Sequence, residues 1–354
     1  MLALVPDAFG ACGGIAQYNR DFFGALAAMS SITVLPRHAP DSVALPESIR
    51  QLRAQSGRFA YSIATLRTAM FQSVDVVFCG HLFMAPLAML VAWLKNAKLI
   101  VQAHGIEAWP RPSRMRRAAV ERADLVLCVS RHTRAAVLSW AAIAPERVLV
   151  VANTVREAFT PGDGSARQPV WASEGQQILL TVARMDSRER YKGHDRVIAA
   201  IPGLVAKGHD ICYAIVGEGD DRLRLEALAR DAGVSNRVRF LGAQDLPSLI
   251  ESYRVADLFV MPSTGEGFGV SFLEAMASGT PALGLDVAGT WDALADGELG
   301  TLAAESELEA TIARLLDQPK PDSHGLSTQV RARFGWKQFA EDVQNAWSRL
   351  IKAA

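Results

Sequence analysis

The stretch Leu258-Phe-Val-Met261-Pro-Ser263-Thr-Gly-Glu266-Gly267-Phe268-Gly269-Val270-Ser-Phe-Leu-Glu274-Ala-Met-Ala-Ser278-Gly279-Thr-Pro281 decides the reading of this 354-residue chain. A short apolar run, of the kind that forms a strand buried on both faces, leads into a glycine-bracketed loop. A helical pattern then begins near Val270 and runs to Ser278, and a second apolar run, Pro281–Leu285, follows. Gly267 and Gly269 allow backbone N–H groups to approach a ligand closely, and the N-terminus of the helix adds partial positive charge suited to a phosphate. Glu266 sits in the turn and Glu274 about one helical turn into the helix. Were the whole segment helical they would lie roughly 12 Å apart, so the two carboxylates are expected to meet different parts of one extended ligand. Taken alone, the glycines equally describe a tight turn and Glu274 a solvated helix residue.

The strand–helix rhythm extends outward in both directions. Upstream, strands are expected at Leu2–Pro6, Ile32–Pro36, Asp75–Cys79, Lys98–Ala103, Leu125–Ser130 and Val148–Val151, with helices such as Ile15–Met29 and Arg114–Arg122 between them. After a Pro/Gly/Ser cluster the rhythm restarts at Ile178–Val182, Cys212–Val216 and Val238–Leu241, with helices near Asp195–Lys207, Asp221–Ala232 and Leu246–Ala256. The expected fold is α/β, with two Rossmann-like doubly wound domains. Their expected spans are 1–158 and 173–334, joined by a linker at 159–172. A last amphipathic helix in 335–354, with Phe339, Val343, Trp347 and Leu350 at helical spacing, needs a surface to dock on. Such an architecture implies a ligand crevice at the carboxyl ends of the strands.

Composition narrows the class. Half of the residues are hydrophobic and the 37 Lys+Arg balance the 37 Asp+Glu. That excludes a disordered tail and supplies no global basic excess for a nucleic-acid partner. Cys12, Cys79, Cys128 and Cys212 are scattered, with no CxxC pair, and are expected as reduced core residues of a cytosolic protein. No secretory signal pattern opens the sequence. The longest apolar run, Leu82–Leu94, contains Pro86 and is too short to span a bilayer, which needs about 20 residues.

Four further loops follow expected strands. Val182-Ala-Arg184-Met-Asp-Ser-Arg188-Glu189-Arg190-Tyr191-Lys192-Gly193 brings several cations to one strand end, where Arg188, Glu189 and Arg190 read as a solvated loop. His104-Gly105-Ile-Glu107 follows Lys98–Ala103. A histidine in that position is often a hydrogen-bonded packing residue, but its place at a strand's carboxyl end favours a site. Gly10-Ala-Cys-Gly13-Gly14 follows the first strand and lacks the GxGxxG pattern, which argues against dinucleotide binding. Val216-Gly217-Glu218-Gly219-Asp220 is equally a plain turn, and Ser130 and Asn153 suit capping or packing.

The Glu266–Glu274 segment closely resembles the E-x7-E signature of retaining glycosyltransferases of the GT-B fold, family 4, and the resemblance runs along nearly the whole chain. It implies that Glu266 faces the donor sugar and Glu274 the nucleotide ribose. The backbone of Gly267, Phe268, Gly269 and Val270 would contact sugar and phosphate. It also implies that Arg184 and Lys192 hold the donor diphosphate, where two fixed cations would stabilise the charge of the leaving group. His104 would face the sugar near the reacting centre, Gly13 and Gly14 would reach the donor phosphate and the acceptor, and Gly217 would lie near the base. The Arg184-to-Lys192 spacing is longer than in many members. No D-x-D sequence occurs, so no metal and no other cofactor is expected, the nucleotide diphosphate sugar being a substrate. In GT-B enzymes the C-terminal helix crosses back onto the first domain. The implied function is transfer of a hexose from GDP-mannose or a UDP-hexose to a glycan or lipid-linked acceptor, in bacterial surface polysaccharide synthesis. A GT-B sugar-nucleotide epimerase and a non-catalytic partner subunit are the alternatives, and retention of both glutamates lowers the second.

The zero net charge conceals a division. Residues 1–160 hold 17 Lys+Arg against 10 Asp+Glu, and the remainder hold 20 against 27. Arg111, Arg114, Arg116 and Arg117 concentrate the basic excess. They read either as a solvated helix face or as a contact for an anionic membrane surface or an acceptor diphosphate. The expected location is cytoplasmic, with a peripheral position at the inner face of the cytoplasmic membrane as the variant of that reading.

Overall fold

In the computed structural model, which describes residues 1–11, 13–38, 45–163 and 169–352, the chain divides into two compact units. One is Met1–Thr154 together with Lys337–Ala354, and the other is Val155–Trp336. Cys12 and residues 164–168 of the expected linker lie outside the described residues. The change of unit falls at Thr154/Val155, ahead of that linker, and Phe159 is fully buried in the second unit with its ring 5.7 Å from that of Tyr253.

Among the described residues, the first unit is built on seven parallel strands: β1 (Leu2–Val5), β2 (Ile32–Pro36), β3 (Ile49–Gln51), β4 (Val76–Cys79), β5 (Lys98–Ala103), β6 (Leu125–Cys128) and β7 (Val148–Val150). Their order in the sheet is β3-β2-β1-β4-β5-β6-β7, so the winding reverses between β1 and β4. Strands β1, β4 and β6 are buried at every residue, as a sheet covered on both faces by helices requires. The covering helices are α1 (Gly14–Leu26), α2 (Arg58–Phe71), α3 (Ala85–Lys95), α4 (Arg114–Arg122) and α5 (Arg131–Trp140). The apolar run at Leu82–Leu94 accordingly becomes α3, with Pro86 tolerated in its first turn. Cys79 and Cys128 are buried free thiols whose pKa burial pushes up to about 12, and Cys212 of the second unit is also buried and free.

The second unit repeats the plan, its described residues forming six parallel strands: β8 (Gln177–Val182), β9 (Ile211–Val216), β10 (Val238–Gly242), β11 (Leu258–Met261), β12 (Ala282–Leu285) and β13 (Thr301–Ala303). The order β10-β9-β8-β11-β12-β13 reverses between β8 and β11. Its helices are α6 (His194–Ala206), α7 (Arg222–Asp231), α8 (Leu246–Val255), α9 (Val270–Ala277), α10 (Thr290–Ala293), α11 (Leu308–Asp317) and α12 (Ser323–Phe334). The backbone N–H of Val155 donates to Phe334 O at 3.0 Å, so the chain enters and leaves this unit side by side.

The terminal helix α13 (Trp336–Lys352) buries Phe339, Val343, Ala346, Trp347 and Leu350. It belongs to the first unit, where Phe339 meets Tyr18 of α1 edge-on at 5.8 Å and Gln344 Nε2 donates to Ala25 O at 3.2 Å. The amphipathic pattern thus finds its docking surface on α1.

Candidate functional site

In open parallel sheets ligands bind beyond the carboxyl ends of the strands where the winding reverses. In the second unit those ends are Val182 of β8 and Met261 of β11. The loops that leave them carry Arg184–Lys192 and Ser263–Gly269, two of the segments singled out from the sequence.

The two loops are tied together by backbone as well as side chains. Thr264 N donates to Tyr191 O at 2.9 Å. Gly193 adopts φ 81°, and a Cβ there would lie 2.3 Å from Pro262 O, so only glycine permits the Lys192–Gly193 turn to press against the β11 loop. The result is contact between Lys192 Nζ and Glu266 Oε1 at 2.6 Å, with the Lys192 side chain 18% and that of Glu266 7% exposed. Burial works against the Lys192 charge, yet the touching Glu266 carboxylate outweighs it and raises the Lys192 pKa. The ammonium also lies 5.4 Å from the Tyr191 ring.

Arg184 lies in the same loop as Lys192. Its guanidinium is ion-paired with Glu189 and largely exposed, and burial, with the Glu189 and Glu266 carboxylates, raises the Tyr191 pKa against the pull of Lys192 and Arg184. The neighbouring charges are matched too: Arg188 pairs with Asp186 of the same loop at 2.8 Å and Arg190 with Asp221, at the start of α7, at 3.0 Å. The residues 186–190 are therefore a charge-paired turn, and Glu189 is a site neighbour that the sequence reading left among solvated residues. No spacing rule would have marked it.

Helix α9 begins at Val270 behind Gly269, which takes φ 100°. The first N–H groups of a helix have no intrahelical acceptor, so Gly269, Val270 and Ser271 present backbone donors and the positive end of the helix dipole. Gly289 N donates to Glu266 O at 3.0 Å and Ser271 Oγ to Val182 O at 3.1 Å, which hold the loop over β8 and β11. Phe268 is buried with its ring 5.7 Å from that of Phe334 and anchors the loop instead of facing solvent.

Glu274 lies one turn further on. Its Oε2 accepts from Tyr253 Oη at 2.9 Å and its Oε1 lies 3.6 Å from Arg156 Nη2. Burial raises its pKa, while Arg156 and Tyr253 pull the other way. Both partners are far away in sequence and were not among the residues expected there. Gly217 has φ 137°, and a Cβ on it would meet Ala183 O at 2.2 Å; its N–H already donates to Gly242 O at 2.9 Å. Close backbone approach between the loops after β8 and β9 accounts for this glycine.

In the first unit, His104 follows β5. Its N–H donates to Glu107 Oε1 at 2.6 Å, its Nε2 lies 3.0 Å from Gly80 O, and its ring meets Tyr18 edge-on at 5.3 Å. A carbonyl at Nε2 selects the tautomer protonated there, and burial lowers the His104 pKa against the pull of Glu107, so the ring is neutral near pH 7. Gly13 and Gly14 are exposed at the start of α1, with Gly13 at φ 104°. Arg111, Arg114 and Arg116 are exposed, and Arg117 pairs with Glu121 at 3.3 Å. Among the described residues, no group of three or more His, Cys, Asp or Glu is placed to hold a metal ion.

These two Rossmann-like units carry the domains of a known enzyme class. Residues 12–159 match the Glycosyltransferase Family 4 model and residues 165–333 the model of Glycosyl transferases group 1. The chain therefore consists of the two domains of group 1/family 4 glycosyltransferases, with the GT-B type of fold.

Among relatives, a D-inositol 3-phosphate glycosyltransferase 2 of Catenulispora acidiphila is 33% identical over 211 residues, 55% of this chain and 49% of that protein. The alignment thus spans about half the length of that relative. A GDP-mannose-dependent alpha-(1-6)-phosphatidylinositol monomannoside mannosyltransferase of Mycolicibacterium smegmatis is 27% identical over 346 residues, 87% of each chain. Among solved structures, Anabaena HepE in complex with UDP and glucose superposes with a TM-score of 0.80 at 17% identity, over 99% of this chain and all of that one, which supports the fold.

Proposed function

We propose that this protein transfers a hexosyl group from a nucleotide diphosphate sugar to a hydroxyl of a glycan or lipid-linked acceptor, with retention of anomeric configuration. The observation that carries the reading is the Lys192–Glu266 contact at the N-terminus of α9, on the switch point of the second sheet. A diphosphate at that helix end would meet backbone donors and Lys192 at once. Arg184 would join after exchanging Glu189 for phosphate oxygens, since an exposed ion pair is weak and easily traded. Glu266 would hold sugar hydroxyls, and Glu274, fixed by Tyr253 and Arg156, would accept from the ribose.

In the proposed step the bond from the anomeric carbon to the leaving phosphate oxygen breaks as the acceptor oxygen forms its bond on the same face. The acceptor proton passes to the departing phosphate. Charge then accumulates on the diphosphate, where Lys192, Arg184 and the helix N-terminus stabilise it without requiring a metal. His104, neutral and held by Gly80, would orient the sugar. The GDP-mannose dependence of the Mycolicibacterium smegmatis mannosyltransferase supports GDP-mannose as donor and a lipid-linked acceptor, and the HepE complex with UDP and glucose supports a UDP-hexose as the other donor.

Thermal stabilisation by UDP or GDP, followed by donor consumption with and without added glycan acceptors, tests the reading. Stabilisation by one nucleotide and acceptor-dependent release of it are expected. Consumption of donor with no acceptor, yielding an altered sugar nucleotide, would point to the epimerase instead.

A further inference from the structure

The first unit carries an apolar surface that its own fold leaves uncovered. Along α2, Phe59, Ile63, Leu66 and Met70 recur at spacings of four, three and four residues, which puts them on one side of the helix. All four are exposed, Phe59 to 87%. The other side is already occupied: Tyr61, Thr65 and Ala69 are buried, and Tyr61 Oη donates to Leu35 O at 2.8 Å. The neighbouring α3 continues the exposed surface with Leu90, Leu94 and Trp93, the last 77% exposed, and α4, packed on α3, adds Met115.

Charge says what would cover it. Arg58 and Arg67 lie on α2, Lys95 ends α3, and Arg114, Arg116, Arg117 and Arg122 lie on α4, while the one acidic residue of the three helices, Glu121, is paired with Arg117. The unit as a whole holds 19 Lys+Arg against 11 Asp+Glu. A symmetric contact with a second copy would set these cations against one another. An anionic bilayer accepts both features, with apolar side chains at the boundary of headgroups and acyl chains and guanidinium groups on lipid phosphates. No described helix is long and apolar enough to cross a membrane, so the contact is one of lying on the surface.

We propose that the exposed sides of α2, α3 and α4 form a docking face for an anionic lipid bilayer, with Phe59, Met70 and Trp93 inserted and the surrounding cations on the phosphates. The face involves none of the residues assigned to glycosyl transfer, so it stands or falls apart from that reading.

The test is flotation of the full chain with phosphatidylcholine vesicles containing about a third phosphatidylglycerol, against phosphatidylcholine alone. Binding to the anionic vesicles that weakens as salt rises is expected. Arg114→Gln with Arg116→Gln should lower the partition coefficient about 25-fold, at roughly fivefold per cation. Phe59→Ser and, separately, Trp93→Ser should lower it while circular dichroism and the thermal midpoint stay unchanged. Absence of flotation would overturn the proposal, as would equal binding to neutral vesicles unaffected by these substitutions. A dimer in light scattering that Phe59→Ser dissociates would assign the face to a second copy instead, and retention on an acidic protein with no vesicle binding would assign it to such a partner.

Discussion

The Lys192–Glu266 pair separates a structural from a functional role through a double-substitution cycle. Both side chains are largely removed from water and touch at 2.6 Å. Lys192→Met would leave the Glu266 carboxylate buried beside an apolar chain. Removing one member of a buried pair costs about 3–5 kcal/mol, and the residual exposure of Lys192 favours the lower figure of about 3. For a unit of this size each kcal/mol moves the thermal midpoint by roughly 2–4 °C, so a fall of roughly 6–12 °C is expected. Adding Glu266→Gln removes the stranded charge, and the double variant should return to within about 1 kcal/mol of the parent, because a paired and an apolar-neutral site of equal volume are nearly equivalent. Differential scanning calorimetry reads the stability arm and release of nucleotide from the donor the activity arm. Turnover in the double variant should remain about 100- to 1000-fold down, the usual loss when one electrostatic element of a site is removed. Recovery of turnover along with stability would refute the assignment of the pair to the donor site. A double variant as unstable as Lys192→Met would refute the ion-pair argument itself.

Two further outcomes follow from buried ionisable groups. Glu274 holds its proton more tightly folded than unfolded, so stability falls as pH rises through the window above about 4.5, and the ionised carboxylate is a net cost at neutral pH. Glu274→Gln should therefore raise stability at pH 7, on the order of 1 kcal/mol, while nucleotide affinity drops roughly tenfold with loss of a charged acceptor; melting curves and a nucleotide titration check both. His194, buried at the start of α6, has its pKa lowered to about 4, chiefly by burial. Its neutral form contributes stability that is complete above pH 6.5 and is lost as pH falls towards 4, up to about 3 kcal/mol. His194→Leu should flatten that slope in urea unfolding followed across pH 4–7.

The alternating strand and helix segments were legible because each buried strand is written in adjacent residues: Leu2–Val5, Val76–Cys79 and Leu258–Met261 are apolar without interruption. Of the edge strands, β7 and β10 were legible and β3 and β13 were not. The last two have three residues each and, unlike the all-apolar Val148–Val150 of β7, are interrupted by polar side chains, Arg50 and Gln51 in β3 and Thr301 in β13. Helix α2 escaped for a related reason, since it is apolar on two sides and gives little one-sided periodicity.

For the candidate site, the sequence by itself placed Glu266, Gly267, Gly269 and Glu274 at a strand end and a helix start, because their spacing is local and the chain between them is short. It also fixed the residue types that suit a diphosphate. Only the tertiary structure decided that Lys192 meets Glu266, that Glu189 holds Arg184, and that Tyr253 and Arg156 grip Glu274. The Arg184–Glu189 pair is made by the tight turn of one loop; the others join residues brought together by parallel strands, whose crossovers separate neighbours in space by many residues of chain. Local spacing is set by covalent geometry and can be read along the sequence, whereas partner choice depends on which loops the sheet order places side by side.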